Sequence, residues 1–364
     1  MGNPGHKSSF FPALEGLRGI AIIAVIVFHN FPYGDSLFGW LGVDLFFVLS
    51  GFLITGILLR AFNEDTSKNV LRNFYMRRVL RIFPLYYLFL LVFLVLFPAF
   101  GFLRSEVTEY QENAWWFILY IQNWLFAIDF PEVSHSLNHF WSLAVEEQFY
   151  ILWPLVILLL RSPRRLLVFL SIFLVALFVF RCIIWYCQIS GFNYTTFYIF
   201  TRFDGICIGS MVAVLVHYKK DFLKNHIALI ISSLAILNFL FYFLNTSGNL
   251  PYLAFIGYTT FAAMFGILVY ELSYGKNSTL KKAFSIRPLR FLGRVSYGLY
   301  MFHWPIHYFL GPELLNQFSN NPNIPGITAQ LLTACITTFV SIVCSFLSYR
   351  FFEKRFLIIK ERFQ

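Results

Sequence analysis

Charge is what this sequence has least of. Asp, Glu, Lys and Arg make up only 13% of its 364 residues, against about 25% in ordinary soluble domains. A water-dispersed globule of this size needs a far more polar surface, so that class is excluded. Intrinsic disorder is excluded with it, because disordered chains are poor in apolar residues and these form 58% here. Cysteine is sparse as well. Cys182, Cys187, Cys207, Cys335 and Cys344 all lie in apolar stretches without metal-ligand spacing, so they read as buried free thiols and no metal site is expected. No internal repeat and no low-complexity linker divides the chain. A cleavable signal peptide is not expected either: Glu15 and Arg18 interrupt the first apolar run and no small-residue cleavage site follows, so that segment is expected to be retained.

What is there is apolar and aromatic. Mean hydropathy is +0.67, aromatic residues make up 21%, and Phe alone supplies 47 positions. This is the composition of an all-α, polytopic integral membrane protein. A span needs about 20 mostly apolar residues. Ten stretches qualify: 14–31, 37–59, 82–100, 140–160, 166–186, 197–216, 226–244, 252–272, 295–310 and 327–349. A further run at 115–127, rich in Trp and Tyr, is too short to span and reads as a re-entrant or interfacial helix.

The net charge of +10 would point to nucleic acid in a soluble protein. Here the basic residues fall in short clusters between apolar runs, as the positive-inside rule requires. With a cytoplasmic N-terminus, the inner loops are 60–81, 161–165, 219–224, 276–294 and the tail from 350, and with Lys7 they hold nearly all the Lys and Arg. Arg104 is the only basic residue on an outer loop, whereas Asp35, Glu106, Glu109, Glu112, Asp129, Glu132 and Glu313 all fall outside. The expectation is about ten transmembrane helices with both termini cytoplasmic. They would form one membrane domain over 10–356, followed by a short basic tail at 357–364.

Ionisable groups at membrane depth are costly and by default mark function. Arg18 and His29 are eleven residues apart, about 16 Å along a helix and about 20° past three full turns, so they share a face. The bland alternative is a Glu15–Arg18 pair and a snorkelling His29. Asp44 enters the second span at the depth of His29, where it either orients the imidazole or serves helix packing. Gly39, Gly42 and Gly51 favour close helix approach in both cases. His139, Ser142, Glu146 and Tyr150 follow helical spacing and form one polar stripe, with Glu147 about 100° round the helix. Paired glutamates near a helix start can instead simply favour the dipole. Arg77, Arg78 and Arg81 suit either a phosphate clamp or topology charge against anionic lipid. Arg202 and Asp204, two residues apart, do not face each other, so each is expected to pair with another helix. His303, in an apolar setting, is as well read as structural as catalytic.

These segments together resemble the acyltransferase 3 family of membrane-bound acyltransferases, which modify sugars and other hydroxyl compounds. The resemblance runs from Leu14 to Phe356. It is carried by the Arg18–His29 spacing, GVDLFFVLSGFLI from Gly42, RRVLRIFPLY from Arg77 and WSLAVEEQFY from Trp141. The Arg202–Phe203–Asp204–Gly205 step, SYGLYMFHWP from Ser296 and the terminal Phe352–Glu353–Lys354 complete it. It implies a ten-helix layout and, because the chain stops soon after the last span, the stand-alone form without an added esterase-like domain. It implies acyl-CoA, usually acetyl-CoA, as a cytoplasmic donor substrate rather than a tightly bound cofactor. The implied acceptor is a hydroxyl of an envelope polysaccharide or lipid-linked sugar at the inner membrane. Membrane lipids are the other expected partner and nucleic acid is not one. It places the essential pair at Arg18 and His29 and gives weight to the arginine cluster and to Glu146 and Glu147.

The chemistry of the residues agrees with this. Arg77, Arg78 and Arg81 can hold the phosphates, Arg18 can meet the donor midway, and His29, oriented by Asp44 or by Glu146 and Glu147, can deprotonate a hydroxyl. A transient acyl-histidine is the other route. On the acceptor side the candidates are Trp115, Trp116, His139, Arg202, Asp204 and His303. The aromatic outer loop is read as a sugar lid or as an interfacial belt. A multi-pass transporter or flippase of lipid-linked intermediates is the competing class, since buried Arg, His and Glu also build proton relays. It lacks the expected inverted repeat and paired broken helices.

Overall fold

The computed structural model describes residues 11–33, 38–64, 69–102, 104–128, 135–187, 202–218, 227–244 and 256–363, and every regular element among them is a helix. Helix α1 (Pro12–Asn30) opens with a proline in its first turn, where the missing N–H costs nothing. After it come α2 (Leu41–Glu64) and α3 (Asn69–Leu91), the latter extended through a π turn to Ala99. Three short helices follow, α4 (Arg104–Glu112), α5 (Ala114–Ile118) and α6 (Gln122–Ile128), and a 3₁₀ turn (His135–Phe140) leads into α7 (Trp141–Leu160). The rest comprises α8 (Pro163–Tyr186), α9 (Asp204–Tyr218), α10 (Ile227–Leu244), α11 (Tyr258–Ser273), α12 (Ser278–Phe284), the long α13 (Arg287–Ser319), α14 (Gly326–Ser348) and, past a π turn, α15 (Lys354–Lys360).

Six described helices are long and apolar enough to cross a membrane: Pro12–Asn30, Leu41–Asn63, Asn69–Ala99, Ser136–Leu160, Pro163–Ile184 and Gly326–Lys360. They match six of the ten expected spans. The other four fall on α9, α10, α11 and α13, of which α9 is apolar but shorter. Within the expected spans, 37, 197–201, 226 and 252–255 lie outside the described residues, as do Lys7, Asp35, Asp129, Glu132 and the loop 219–224. The aromatic run expected as one re-entrant helix is broken at Tyr120, whose φ of +55° is left-handed. It nonetheless folds onto the bundle. Tyr86 and Tyr87 donate to the Phe117 and Ile118 carbonyls, and Gln148 donates to the Tyr120 carbonyl.

Two close helix pairings place the site. Helix α1 packs against α13, and α2 packs against α9. At the first pairing a Cβ on Gly19 would overlap the Leu289 carbonyl and one on Gly293 the Glu15 carbonyl. At the second, a Cβ on Gly209 would overlap the Val48 carbonyl. Backbone meets backbone at both seams, which is how membrane helices associate when water supplies no hydrophobic force. The segment expected as a basic tail is partly helix, since α15 lies against α3.

Candidate active site

Helices α1 and α13 run parallel, so residues in chain order on one meet residues in chain order on the other. Glu15 accepts from Arg290 Nε (2.9 Å) and Arg294 Nε (3.4 Å). Three residues on, Arg18 Nη2 donates to Ser296 Oγ at 3.2 Å. Near the far end, His29 Nδ1 is 3.1 Å from His303 Nε2. Arg18 and His29 therefore do share a face, and α13 is what they face. The Glu15–Arg18 alternative gives way, because Glu15 takes arginines from α13.

A narrow cavity of about 50 Å³ opens between these levels, lined by Arg18, Phe46, Ser142, Glu146, Ser296 and Tyr300 among others. Ser142 and Glu146 are two members of the expected stripe on α7. Ser50 Oγ donates to Glu146 Oε1 at 2.7 Å, and the Tyr150 hydroxyl, the next stripe member, lies 3.1 Å from Ser50 Oγ and 3.3 Å from Glu146 Oε2. At the other end Ser142 Oγ and the Tyr300 hydroxyl are 2.6 Å apart, and that hydroxyl donates to the His139 carbonyl at 2.7 Å. The His139 and His303 rings lie 5.2 Å apart and the His29 and His303 rings 5.1 Å. A larger open groove of about 500 Å³, lined by Leu94, Val95, Pro98, Ala99, Thr108 and Gln111, carries no ionisable side chain.

The arginines of α3 lie near Arg18, outside the lining of the cavity. Arg78 lies over the Tyr150 ring at 5.2 Å, and Arg78 and Arg81 are both within electrostatic reach of Arg18. Glu147, buried, lies within electrostatic reach of Arg78. Lys360 on α15 lies within reach of Arg77, Arg78 and Arg81. Several of these groups have hydrogen-bonding capacity that the protein does not use. Arg18 Nε and Arg78 Nε are buried without a partner among the described residues. Neither ring nitrogen of buried His139 makes a hydrogen bond of normal geometry, although the backbone of Tyr300 and Met301 lies beside the ring.

Three expectations need correction. Asp44, Glu146 and Glu147 do not orient His29; His303 occupies that position. Asp44 sits on the face of α2 turned to α9, where its Oδ1 accepts from Arg202 Nη2 at 2.9 Å, and Arg202 also stacks on Tyr258 at 4.0 Å. Asp204 is likewise drawn away from the cavity. It binds Arg181 of α8 through both carboxylate oxygens and accepts from Thr259 Oγ1 on α11. Arg202 and Asp204 thus each pair with another helix, as their spacing predicts, but in an ion-pair layer and not against the cavity. Trp115 and Trp116 stack on each other at 4.1 Å, Trp115 being 49% exposed, and neither lines the cavity. Sequence reasoning missed Ser50, Arg181, Ser296 and Tyr300. Arg181 had a signal, a lone arginine inside an apolar span. The hydroxyl residues had none, because Ser and Tyr are ordinary in such helices.

Residues 11–350 match the family model for an acyltransferase domain, acyltransferase 3. The chain is 30% identical, over 374 aligned positions, to the peptidoglycan O-acetyltransferase OatA of Listeria monocytogenes serovar 1/2a, covering 96% of this chain and 56% of the relative. It is 30% identical over 365 positions to the O-acetyltransferase OatA of Staphylococcus aureus strain NCTC 8325, covering 96% of this chain and 57% of that one. The chain thus spans little more than half the length of these relatives. No solved structure matches it.

Proposed function

The chain belongs to the acyltransferase 3 family, and from that premise we propose that it moves an acetyl group from cytoplasmic acetyl-CoA to a hydroxyl of peptidoglycan at the cytoplasmic membrane. The acceptor class is suggested by relatives named as acetyltransferases, one of them for peptidoglycan. The observation that carries the reading is the unspent hydrogen bonding of Arg18 in the cavity wall, of Arg78 against Tyr150 and of His139 against Tyr300. A buried polar atom without a partner costs about 1–3 kcal/mol. Several of them in one place are retained where a polar ligand supplies what the protein does not.

In this reading Arg77, Arg78 and Arg81 hold the phosphates of coenzyme A by charge-assisted bonds. Arg18 and Glu146 meet the amide-bearing arm, and the thioester lies between His29 and His139. The cavity has room for only a few waters, so donor entry requires its lining side chains to part. His29 takes the proton of the acceptor hydroxyl as that oxygen attacks the thioester carbonyl. The new C–O bond forms, the C–S bond breaks, and the proton passes from the imidazolium to the departing thiolate. His139 donates a ring N–H to the carbonyl oxygen as negative charge develops there.

The test uses the purified full chain in detergent with acetyl-labelled acetyl-CoA and peptidoglycan oligosaccharides. Label on the glycan, as an alkali-labile ester, is expected. Folded protein that leaves acetyl-CoA intact over hours would overturn the transfer and return the carrier class.

A further inference from the structure

We infer that His303 is a positioning residue that fixes the tautomer of His29, holding its proton on Nδ1 and leaving Nε2 as the nitrogen that works as the base. The catalytic use of that nitrogen rests on the acyltransferase reading; the tautomer itself does not. Carbonyl oxygens only accept hydrogen bonds. His303 Nδ1 lies 2.8 Å from the Tyr300 carbonyl and 3.2 Å from the Leu299 carbonyl, so Nδ1 carries the hydrogen. A neutral imidazole has one N–H, and His303 Nε2 is therefore an acceptor.

His29 Nδ1 faces that acceptor at 3.1 Å. Two lone pairs at this distance would repel, so the hydrogen between them belongs to His29 Nδ1. The Val25 carbonyl, one turn back on α1, also lies beside the His29 ring, as the Leu299 carbonyl lies beside that of His303.

A doubly protonated His303 is the alternative, and its surroundings oppose it. The side chain is fully buried. The rings facing it are those of His29, His139 and Tyr300, with His307 within electrostatic reach. No carboxylate is bonded to it among the described residues, and a buried, uncompensated cation is costly.

The arrangement has the logic of a base held by an orienting partner, with an imidazole where a carboxylate is more familiar. It is held in register by α13 itself, through carbonyls three and four residues back. Free histidine in water prefers its proton on Nε2, which would leave the catalytic nitrogen blocked. When His29 accepts the hydroxyl proton, its Nδ1–H donates to His303 Nε2 as a charge-assisted bond, and the neutral partner spreads the charge without neutralising it.

The experiment is nitrogen NMR on the full chain labelled at its histidines, with the His29 signals assigned by their loss in His29→Gln. A protonated Nδ1 and an unprotonated Nε2 on His29 at neutral pH are expected; protonated Nε2 would overturn the inference. Two variants extend the test. His303→Gln places an amide oxygen near the site of Nε2 and is expected to keep kcat within about tenfold. His303→Leu removes the acceptor and is expected to cost about 100-fold in kcat with both KM values unchanged. Wild-type kcat in His303→Leu would overturn the positioning role. If the leucine variant fails to fold, His303→Gln and the wild-type spectrum still decide it. A wild-type protein with the Nδ1–H tautomer but no acetyl transfer would retire the acyltransferase reading alone.

Discussion

At His29 the effect of a substitution is set by chemistry before packing. The ring is only half-buried and its main partner is another side chain. His29→Ala is therefore expected to lower transfer by about 10²–10⁴-fold, the worth of a general base, with the melting temperature in detergent nearly unchanged. Near-normal acetylation by a folded, inserted variant would remove His29 from the mechanism. At Arg181 and Asp204 the order is reversed. Both side chains are fully buried, so Asp204→Asn leaves a guanidinium without its charge partner and is expected to destabilise by about 3–5 kcal/mol. Arg181→Met combined with Asp204→Leu removes both charges and is expected to recover most of that loss, read as melting temperature. A double variant no better than the single would show that the pair itself holds α8 and α9 together. These residues also mark how far the sequence could be read. That Arg202 and Asp204 must pair with other helices followed from their spacing, because residues two apart diverge on a helix. Which helices they choose depends on packing order, which spacing does not encode. Asp44 was assigned to His29 on depth alone, but depth fixes height in the membrane and leaves the helix face open.

At the scale of the element, glycines decide where the helices run. Gly51, Gly205 and Gly209 bring α2 and α9 into backbone contact, Gly19 and Gly293 do the same for α1 and α13, and Gly16 seats α1 on the end of α12 at the Phe284 carbonyl. Gly209→Val would drive two methyl groups into the Val48 carbonyl, which belongs to backbone and cannot rotate aside. The helices must separate, at a cost of about 1–3 kcal/mol or more. The shift would also move Asp44 and Arg202, which bridge the same seam. The expected result is a lower melting temperature together with reduced activity, whereas Gly56→Val, where an added Cβ meets nothing, should leave both near wild type. Equal behaviour of the two variants would count against seam packing as the determinant. Gly51 was legible as a mark of close approach; its partner was not, since nothing in 204–218 announces that it lies opposite 41–64. The expected spans landed on helices because hydropathy and length are local properties, while the break at Tyr120 depends on side chains of α3 and α7 that reach across to it.

At the scale of the whole molecule, charge is segregated along the bundle. Arg77, Arg78 and Arg81 on α3 are joined by Arg18 from α1 and Lys360 from α15, five cations drawn from three distant parts of the chain. Clustering like charges is unfavourable unless something anionic relieves it. Glu146 and Glu147 supply part of that relief, being within reach of Arg18 and Arg78. The remaining positive charge suits a polyanion such as the nucleotide end of the donor, and attraction to it falls as salt rises. Replacing Arg77, Arg78 and Arg81 together with glutamine is expected to raise the donor KM by about tenfold or more per charge-assisted bond lost, at about 1.5–3 kcal/mol each. The acceptor KM should stay put, because the histidine group is built from α1, α13 and the turn before α7. Donor KM of the wild type should rise with salt, and that dependence should flatten in the triple variant. Topology provides the control, since the same arginines also help to set orientation in the membrane. A triple variant that inserts correctly, binds donor with wild-type affinity and keeps the wild-type salt dependence would assign this cluster to orientation and lipid, and place the donor phosphates elsewhere.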